Sequence, residues 1–323
     1  MEKRPVIIDC DTGTDDAIAL VAALNCDALD VRAITCVSGN VDLCYTAPNT
    51  LNLCRMLGFD VKVAQGSPKP ICRDLNDIRL VGNEDEGTIS THGQTGMGNV
   101  TLPQCGGDFY EKNAVETIYE EALACGGKLE LIAVGPMTNV ALALLCHPDL
   151  KDLIAHIWFM GGAAYGGNTT AVAEFNILCD PEAAHLVMQS GIDMTMVGLD
   201  VTEKAAVPDA ACDEIRAIGT KDATVVADIL DFMRMRRDEY GGEDTLMHDA
   251  LAVAAACVPG VVKTSRYFVD TECAGTYTFG HTFVAKDDRF GKFTPNCNVA
   301  EEVDMDIFLG WLRSCIQNSK KRA

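Results

Sequence analysis

The stretch Val6-Ile-Ile-Asp-Cys-Asp-Thr-Gly-Thr-Asp-Asp-Ala17 passes from an apolar run into a cluster of aspartates and then into a second apolar run ending near Leu24. Val6 to Cys10 reads as a buried strand, Asp11 to Asp16 as a turn and cap, and Ala17 to Leu24 as an apolar helix. The same alternation follows downstream. Strands are predicted at 31–37, 61–64, 129–134, 155–160 and 194–197, and helices at 46–57, 111–125, 137–146 and 181–189, the last capped by Asp180 with Pro181 in its first turn. Strands and helices alternating at this spacing predict an α/β fold, an open and mostly parallel sheet flanked by helices. Beyond Asp200 the pattern is mainly helical through Tyr240 and again over 248–256 and 304–315, with two strands near 265–269 and 277–284. One α/β domain over residues 1–323 is the simplest organisation.

Composition narrows the function. The chain has 323 residues, 48% of them hydrophobic, and a net charge of −21. That field repels nucleic-acid backbones and anionic membranes, so neither is an expected partner. The 15 cysteines are odd in number and never closer than eight positions, so they offer no CxxC for zinc, an iron–sulfur cluster or a redox centre. Many lie in apolar runs, as Cys54, Cys146 and Cys257 do, where a thiol is a small hydrophobe. A reducing, cytoplasmic setting fits this usage, and no apolar run approaches the roughly 18 residues of a membrane span.

Asp9, Asp11, Asp15 and Asp16 fall at the carboxyl end of the first predicted strand, where open α/β sheets bind ligands. Carboxylates this close repel one another unless a cation compensates, and hard oxygen ligands suit calcium or magnesium better than zinc. Gly13 is expected to supply a sharp turn that lets Asp11 and Asp16 face one ion. Two segments without periodicity, 66–108 and 165–179, are long enough to place function beside them.

The opening stretch resembles the DxDxGxDD signature of the inosine-uridine preferring nucleoside hydrolase family. The resemblance continues in order through Val37-Ser-Gly-Asn40, Ile132-Ala-Val-Gly-Pro-Met-Thr-Asn139, Met160-Gly-Gly162, Asn168, Val172-Ala-Glu-Phe-Asn176, Asp180-Pro-Glu-Ala183 and Met247-His-Asp249. It implies calcium-dependent hydrolysis of the N-glycosidic bond of ribonucleosides. One Ca2+ would be held by Asp11, Asp16, the carbonyl of Val134 and Asp249, with Asp11 also the general base for the attacking water. Asp15, Asn40, Met160, Asn168, Glu174 and Asn176 would contact the ribose, whose oxocarbenium character grows as the bond breaks.

His248 matches a family histidine near the departing base, where an imidazole can supply a proton. Tyr240, within the turn-rich Asp238-Glu-Tyr-Gly-Gly-Glu-Asp244, resembles an aromatic contact of some relatives. His92, in Thr91-His-Gly-Gln-Thr-Gly-Met-Gly98, resembles part of a glycine-rich loop that closes over the sugar. Members that stack purines between tryptophans are the poorer comparison, because Trp158 and Trp311 fall in a predicted core strand and the last helix. A nonspecific or pyrimidine/inosine-preferring hydrolase is implied, and a homodimer or homotetramer is common among the proteins it resembles. Two alternatives stay open at this level: a calcium-dependent nucleoside-binding protein with little turnover, and a haloacid-dehalogenase-like phosphohydrolase. The latter would share the DxD after an apolar strand, but Gly13 stands where that family has Thr or Val.

Overall fold

The computed structural model describes residues 3–74, 91–240, 245–289 and 291–322. In chain order its strands are β1 (Arg4–Cys10), β2 (Leu29–Cys36), β3 (Lys62–Gln65), β4 (Leu129–Ala133), β5 (Ile154–Met160), β6 (Met194–Val197), β7 (Val262–Tyr267), β8 (Val269–Thr271), β9 (Thr282–Val284) and β10 (Cys297–Val303). The helices are α1 (Thr14–Leu24), α2 (Leu43–Met56), α3 (Ala114–Cys125), α4 (Thr138–Cys146), α5 (Phe175–Cys179), α6 (Pro181–Met188), α7 (Leu199–Thr202), α8 (Asp209–Arg216), α9 (Lys221–Tyr240), α10 (His248–Cys257) and α11 (Met305–Asn318). Eight strands form one sheet in the order β3-β2-β1-β4-β5-β6-β10-β7, parallel except for β7, which runs antiparallel to β10. Strands β8 and β9 pair separately.

The period of two in β1 divides the two faces. Val6, Ile8 and Cys10 point into a core shared with α1, α2, α9, α10 and α11, whereas Ile7 packs with α3, α4 and α6 on the other face. The chain leaves β1 for β2 and β3, then returns to set β4 against the free side of β1. Strands β1 and β4 are thus the point where strand order reverses, and the crevice beyond their carboxyl ends is the favoured ligand position in such sheets.

Several sequence expectations change. Helix α1 begins at Thr14 and not Ala17, so Asp15 and Asp16 lie in its first turn. The helical stretch predicted from Asp200 to Tyr240 is three helices; Pro208 caps α8, and Gly219, at φ 75°, lies between α8 and α9. The strand predicted at 277–284 is shorter, starting at Thr282, and the one near 265–269 is divided between β7 and β8. Strand β10 escapes the sequence reading and inserts between β6 and β7, so the helix-rich C-terminal portion also completes the sheet. Among the described residues no helix is long and apolar enough to cross a membrane.

Candidate active site

Loops leaving β1, β2 and β4 surround the Asp11 carboxylate. Its Oδ2 accepts the backbone N–H of Asn40 at 2.6 Å, while the buried Oδ1 has no donor. Two glycines make the space. A Cβ at Gly135 would lie 2.6 Å from Asp11 Oδ1, and one at Gly39 would overlap Asp11 Oδ2. Neither glycine has the positive φ that would require it for conformation, so clearance around the carboxylate is the reason for both.

The first turn of α1 supplies the next carboxylates. Asp16 Oδ2 accepts from the Gly13 N–H at 2.8 Å and from Asn40 Nδ2 at 3.0 Å, leaving Oδ1 buried and without a donor. The N-terminus of α10 brings in Asp249. One carboxylate oxygen from each of Asp15, Asp16 and Asp249 falls within 4.8 Å of the others, all three residues being buried. Burial, reinforced by mutual repulsion, raises the Asp11 pKa to about 7 and pushes those of Asp16 and Asp249 well up. Donorless oxygens and converging carboxylates form an oxygen-rich nest that a hard divalent cation fits. Asp9 lies apart, on the α4 face, where Asn139 Nδ2 and Thr35 Oγ1 donate to its Oδ1 at 2.8 and 3.0 Å; burial raises its pKa to about 7.

Asp16 and Asp249 converge with Asp15, which the sequence placed on the sugar, and Asp11 adjoins Asp16. The Val134 carbonyl, just past β4, accepts from Asn176 Nδ2 at 2.8 Å. Gly13 has φ −104°, open to any residue. Its lack of a Cβ serves packing instead, since a Cβ there would lie 2.6 Å from His92 Nδ1 and 2.7 Å from Asn40 Nδ2.

Glu174 and Asn176 do not sit in a loop. Glu174 is the N-cap of α5, its Oε1 accepting from Asn176 N and its Oε2 from Gly162 N and Ile177 N, while burial raises its pKa. Asn176 Nδ2 also donates to the Met160 carbonyl at 3.2 Å and lies 3.3 Å from its Sδ, so β4, β5 and α5 meet at one amide. Asn168 is exposed and accepts from Phe175 N at 2.9 Å. Asn40 is committed to holding Asp11 and Asp16.

His248, at the start of α10, shares its Nδ1 with Thr202 Oγ1 at 2.8 Å, which leaves Nε2 as its other polar atom. His92 Nδ1 accepts from the Thr14 N–H at 3.2 Å and meets Thr14 Oγ1 at 3.0 Å, so it caps α1; burial lowers its pKa. Arg236 of α9 holds the neighbouring Thr91 through its carbonyl. Tyr240 is the last residue of α9, and its side chain lies outside the described residues. Sequence reasoning passed over Gly39, Gly135, Thr202 and Asn139 as site-forming residues. Gly39, Gly135 and Asn139 lie in the polar motifs after β2 and β4, a usable signal; Thr202 carries none.

The family model described as inosine-uridine preferring nucleoside hydrolase matches residues 6–310. The chain belongs to that family. It is similar to the pyrimidine-specific ribonucleoside hydrolase RihA of Salmonella typhimurium, with 39% identity over 97% of this chain and 98% of the relative. Among solved structures it is similar to a purine-preferring ribonucleoside hydrolase from Gardnerella vaginalis, at 31% identity and TM-score 0.89 over 99% of this chain and 100% of that one. A plant nucleoside hydrolase is also similar, at 26% identity and TM-score 0.86, covering 98% and 99%. The protein is thus a ribonucleoside N-glycosyl hydrolase, and its buried Asp15, Asp16 and Asp249 cluster corresponds to the family's calcium site.

Proposed function

We propose that the protein hydrolyses pyrimidine ribonucleosides and inosine in preference to other purine nucleosides, using Asp11 as general base and His248 as proton donor to the base. The donorless Asp11 Oδ1 carries the reading of the base: it is a buried carboxylate oxygen with its partner oxygen pinned, so it is free to take a proton from water. Asp15, Asp16, Asp249, Asp11 and the Val134 carbonyl would hold calcium, which when bound supplies positive charge that lowers the pKa of water and orients it. Asn40 keeps Asp11 and Asp16 in register. His248, held at Nδ1 by Thr202, would deliver the proton from Nε2.

Asn168, Glu174, Asn176 and Met160 would line the ribose. Glu174 and Asn176 act there largely by fixing α5 and the β4 and β5 ends, because most of their bonding capacity is taken by backbone. His92 and Tyr240 would approach from the side of α9. The pyrimidine preference draws on the likeness to the RihA proteins and on the tryptophans, since Trp158 donates to Glu130 and Trp311 packs on Phe308. The 31% likeness to a purine-preferring enzyme favours a second reading, preference for purines. Comparing kcat/KM for uridine, cytidine, inosine and adenosine separates them: we expect the pyrimidines to exceed adenosine by about tenfold or more, and the reverse order overturns the proposal. One domain, a homodimer or homotetramer, and a cytoplasmic location without nucleic-acid or membrane partners complete the reading; the charge of −21 supports the exclusion of nucleic acid and anionic membranes, and the free thiols support a reducing compartment.

A further inference from the structure

Helix α7 follows β6 and has only four residues, yet it touches both halves of the site. At its start the Leu199 N–H donates to the Gly162 carbonyl at 2.9 Å, and Asp200 Oδ2 accepts the N–H of Ala164 at 2.7 Å. Gly198, the residue before α7, permits this approach, because a Cβ there would lie 2.6 Å from the Gly162 carbonyl oxygen. Gly162 in turn donates its N–H to Glu174 Oε2 at 2.9 Å, so the loop after β5 is held by the cap of α5 on one side and by α7 on the other. At the end of α7, the fully buried Thr202 sets its Oγ1 2.8 Å from His248 Nδ1. The chain beyond it runs beside the segment that enters α10. Met247 N donates to the Ala205 carbonyl and Val207 N to the Thr245 carbonyl, both at 2.9 Å, and Ala206 and Leu246 form an antiparallel bridge. His248 is thus fixed through its backbone by residues 205–207 and through its ring by Thr202.

We propose that α7 is a positioning clamp for the reaction, with Asp200 fixing the loop on the sugar side and Thr202 fixing the ring that protonates the base. This rests on His248 as the proton donor and adds two positioning residues, which act through others. As the N-glycosidic bond breaks, its electron pair leaves with the base, and the base takes up the proton from His248 Nε2. Such a transfer tolerates little displacement, since reacting atoms misplaced by about 1 Å can lose about a hundredfold in rate. A hydroxyl suits the task at Nδ1, because it can accept from Nδ1–H or donate to the bare nitrogen, and so anchors the ring before and after the proton leaves. Asp200 acts differently. A carboxylate accepting a backbone N–H makes a strong, charge-assisted hydrogen bond, which here holds the chain between Met160 and Asn168. Because both residues sit on one turn of helix, the proton donor and the loop beside the ribose are registered against each other, and not merely each against the core.

The test compares uridine with p-nitrophenyl β-D-ribofuranoside, whose nitrophenolate departs without needing a proton, on the full-length, calcium-loaded protein. Thr202→Val keeps the size of the side chain and removes the hydroxyl. Its kcat on uridine is expected to fall by about 10–100-fold, while turnover of the nitrophenyl riboside stays within about threefold of wild type. Thr202→Ser keeps the hydroxyl and should recover uridine turnover to within about threefold. Asp200→Ala should instead raise KM for both substrates by about tenfold, with calcium affinity unchanged. A residue that served folding alone would lower the thermal midpoint without separating the two substrates. Uridine turnover unchanged in Thr202→Val, where His248→Ala abolishes it, overturns the clamp, as does an equal loss on both ribosides in Thr202→Val or an unchanged KM in Asp200→Ala. Unchanged uridine turnover in His248→Ala overturns the proton-donor assignment, and the clamp with it.

Discussion

Asp11 sits where the loops after three strands leave just enough room for a carboxylate, and the chemistry follows from that fit. Replacing it with asparagine keeps the shape but removes the base, so kcat should fall by about a thousandfold with KM little changed, measured as release of reducing sugar; turnover within tenfold of wild type would remove Asp11 from its role. Gly135→Ala tests the space itself. Its methyl would press on Asp11 Oδ1 and on the Asp11 backbone nitrogen, 3.0 Å away. Relief of such overpacking costs about 1–3 kcal/mol, and the displaced carboxylate should lower kcat by about a hundredfold in a protein whose circular dichroism is unchanged. Asn40→Ala removes the Nδ2 donor from Asp16 while its backbone N–H still holds Asp11, and should weaken calcium binding by about 10–100-fold, read by calorimetric titration. The acidic cluster was legible in the sequence because like charges at a strand end demand compensation. The glycine clearances were not, because a glycine required for space looks the same in sequence as one required for a turn.

At the scale of elements, the caps hold the strand ends in place. Asp180 is fully buried and accepts from Ala183 N at 3.1 Å, from Thr138 Oγ1 at 2.7 Å and from Ile71 N at 2.9 Å, so it joins α6, α4 and the loop after β3. Asp180→Ala leaves three donors without their acceptor and should cost about 1–3 kcal/mol, seen as a lower denaturation midpoint, while KM stays within about twofold of wild type. The cap was readable from Asp180-Pro181 because both residues have local reasons to begin a helix. The helix that Glu174 caps was hidden for the opposite reason: its segment lacks helical periodicity, and α5 is a five-residue helix made by the cap and not by an apolar stripe. Strand β10 stayed hidden because Glu301 and Glu302 interrupt its apolar pattern; in the fold they reach Ser265, Tyr267, Lys286 and Lys263 at the sheet edge. The breaks at Pro208 and Gly219 were available signals that the run of helix formers masked.

Over the whole molecule, strand order decides where everything meets. The reversal between β1 and β4 opens the crevice, α1 and α10 aim their N-termini into it, and the helix-rich C-terminal portion returns His248 and Asp249 to residues near the start of the chain. A fold assembled around buried like charges should depend on a cation: at a hundredfold excess over its dissociation constant, calcium is expected to add about 2.7 kcal/mol of stability, measured as a rise in thermal midpoint that chelation reverses. If that site drives the reaction, calcium occupancy and ribose release rise together, and one titration reads both. Metal-free protein is titrated with calcium while heat and ribose release from uridine are followed in parallel. Saturation is expected at one calcium per chain, with activity rising from near zero in step with occupancy and lost again on chelation. Full activity in the metal-free protein, or binding of calcium with no change in ribose release, would contradict it.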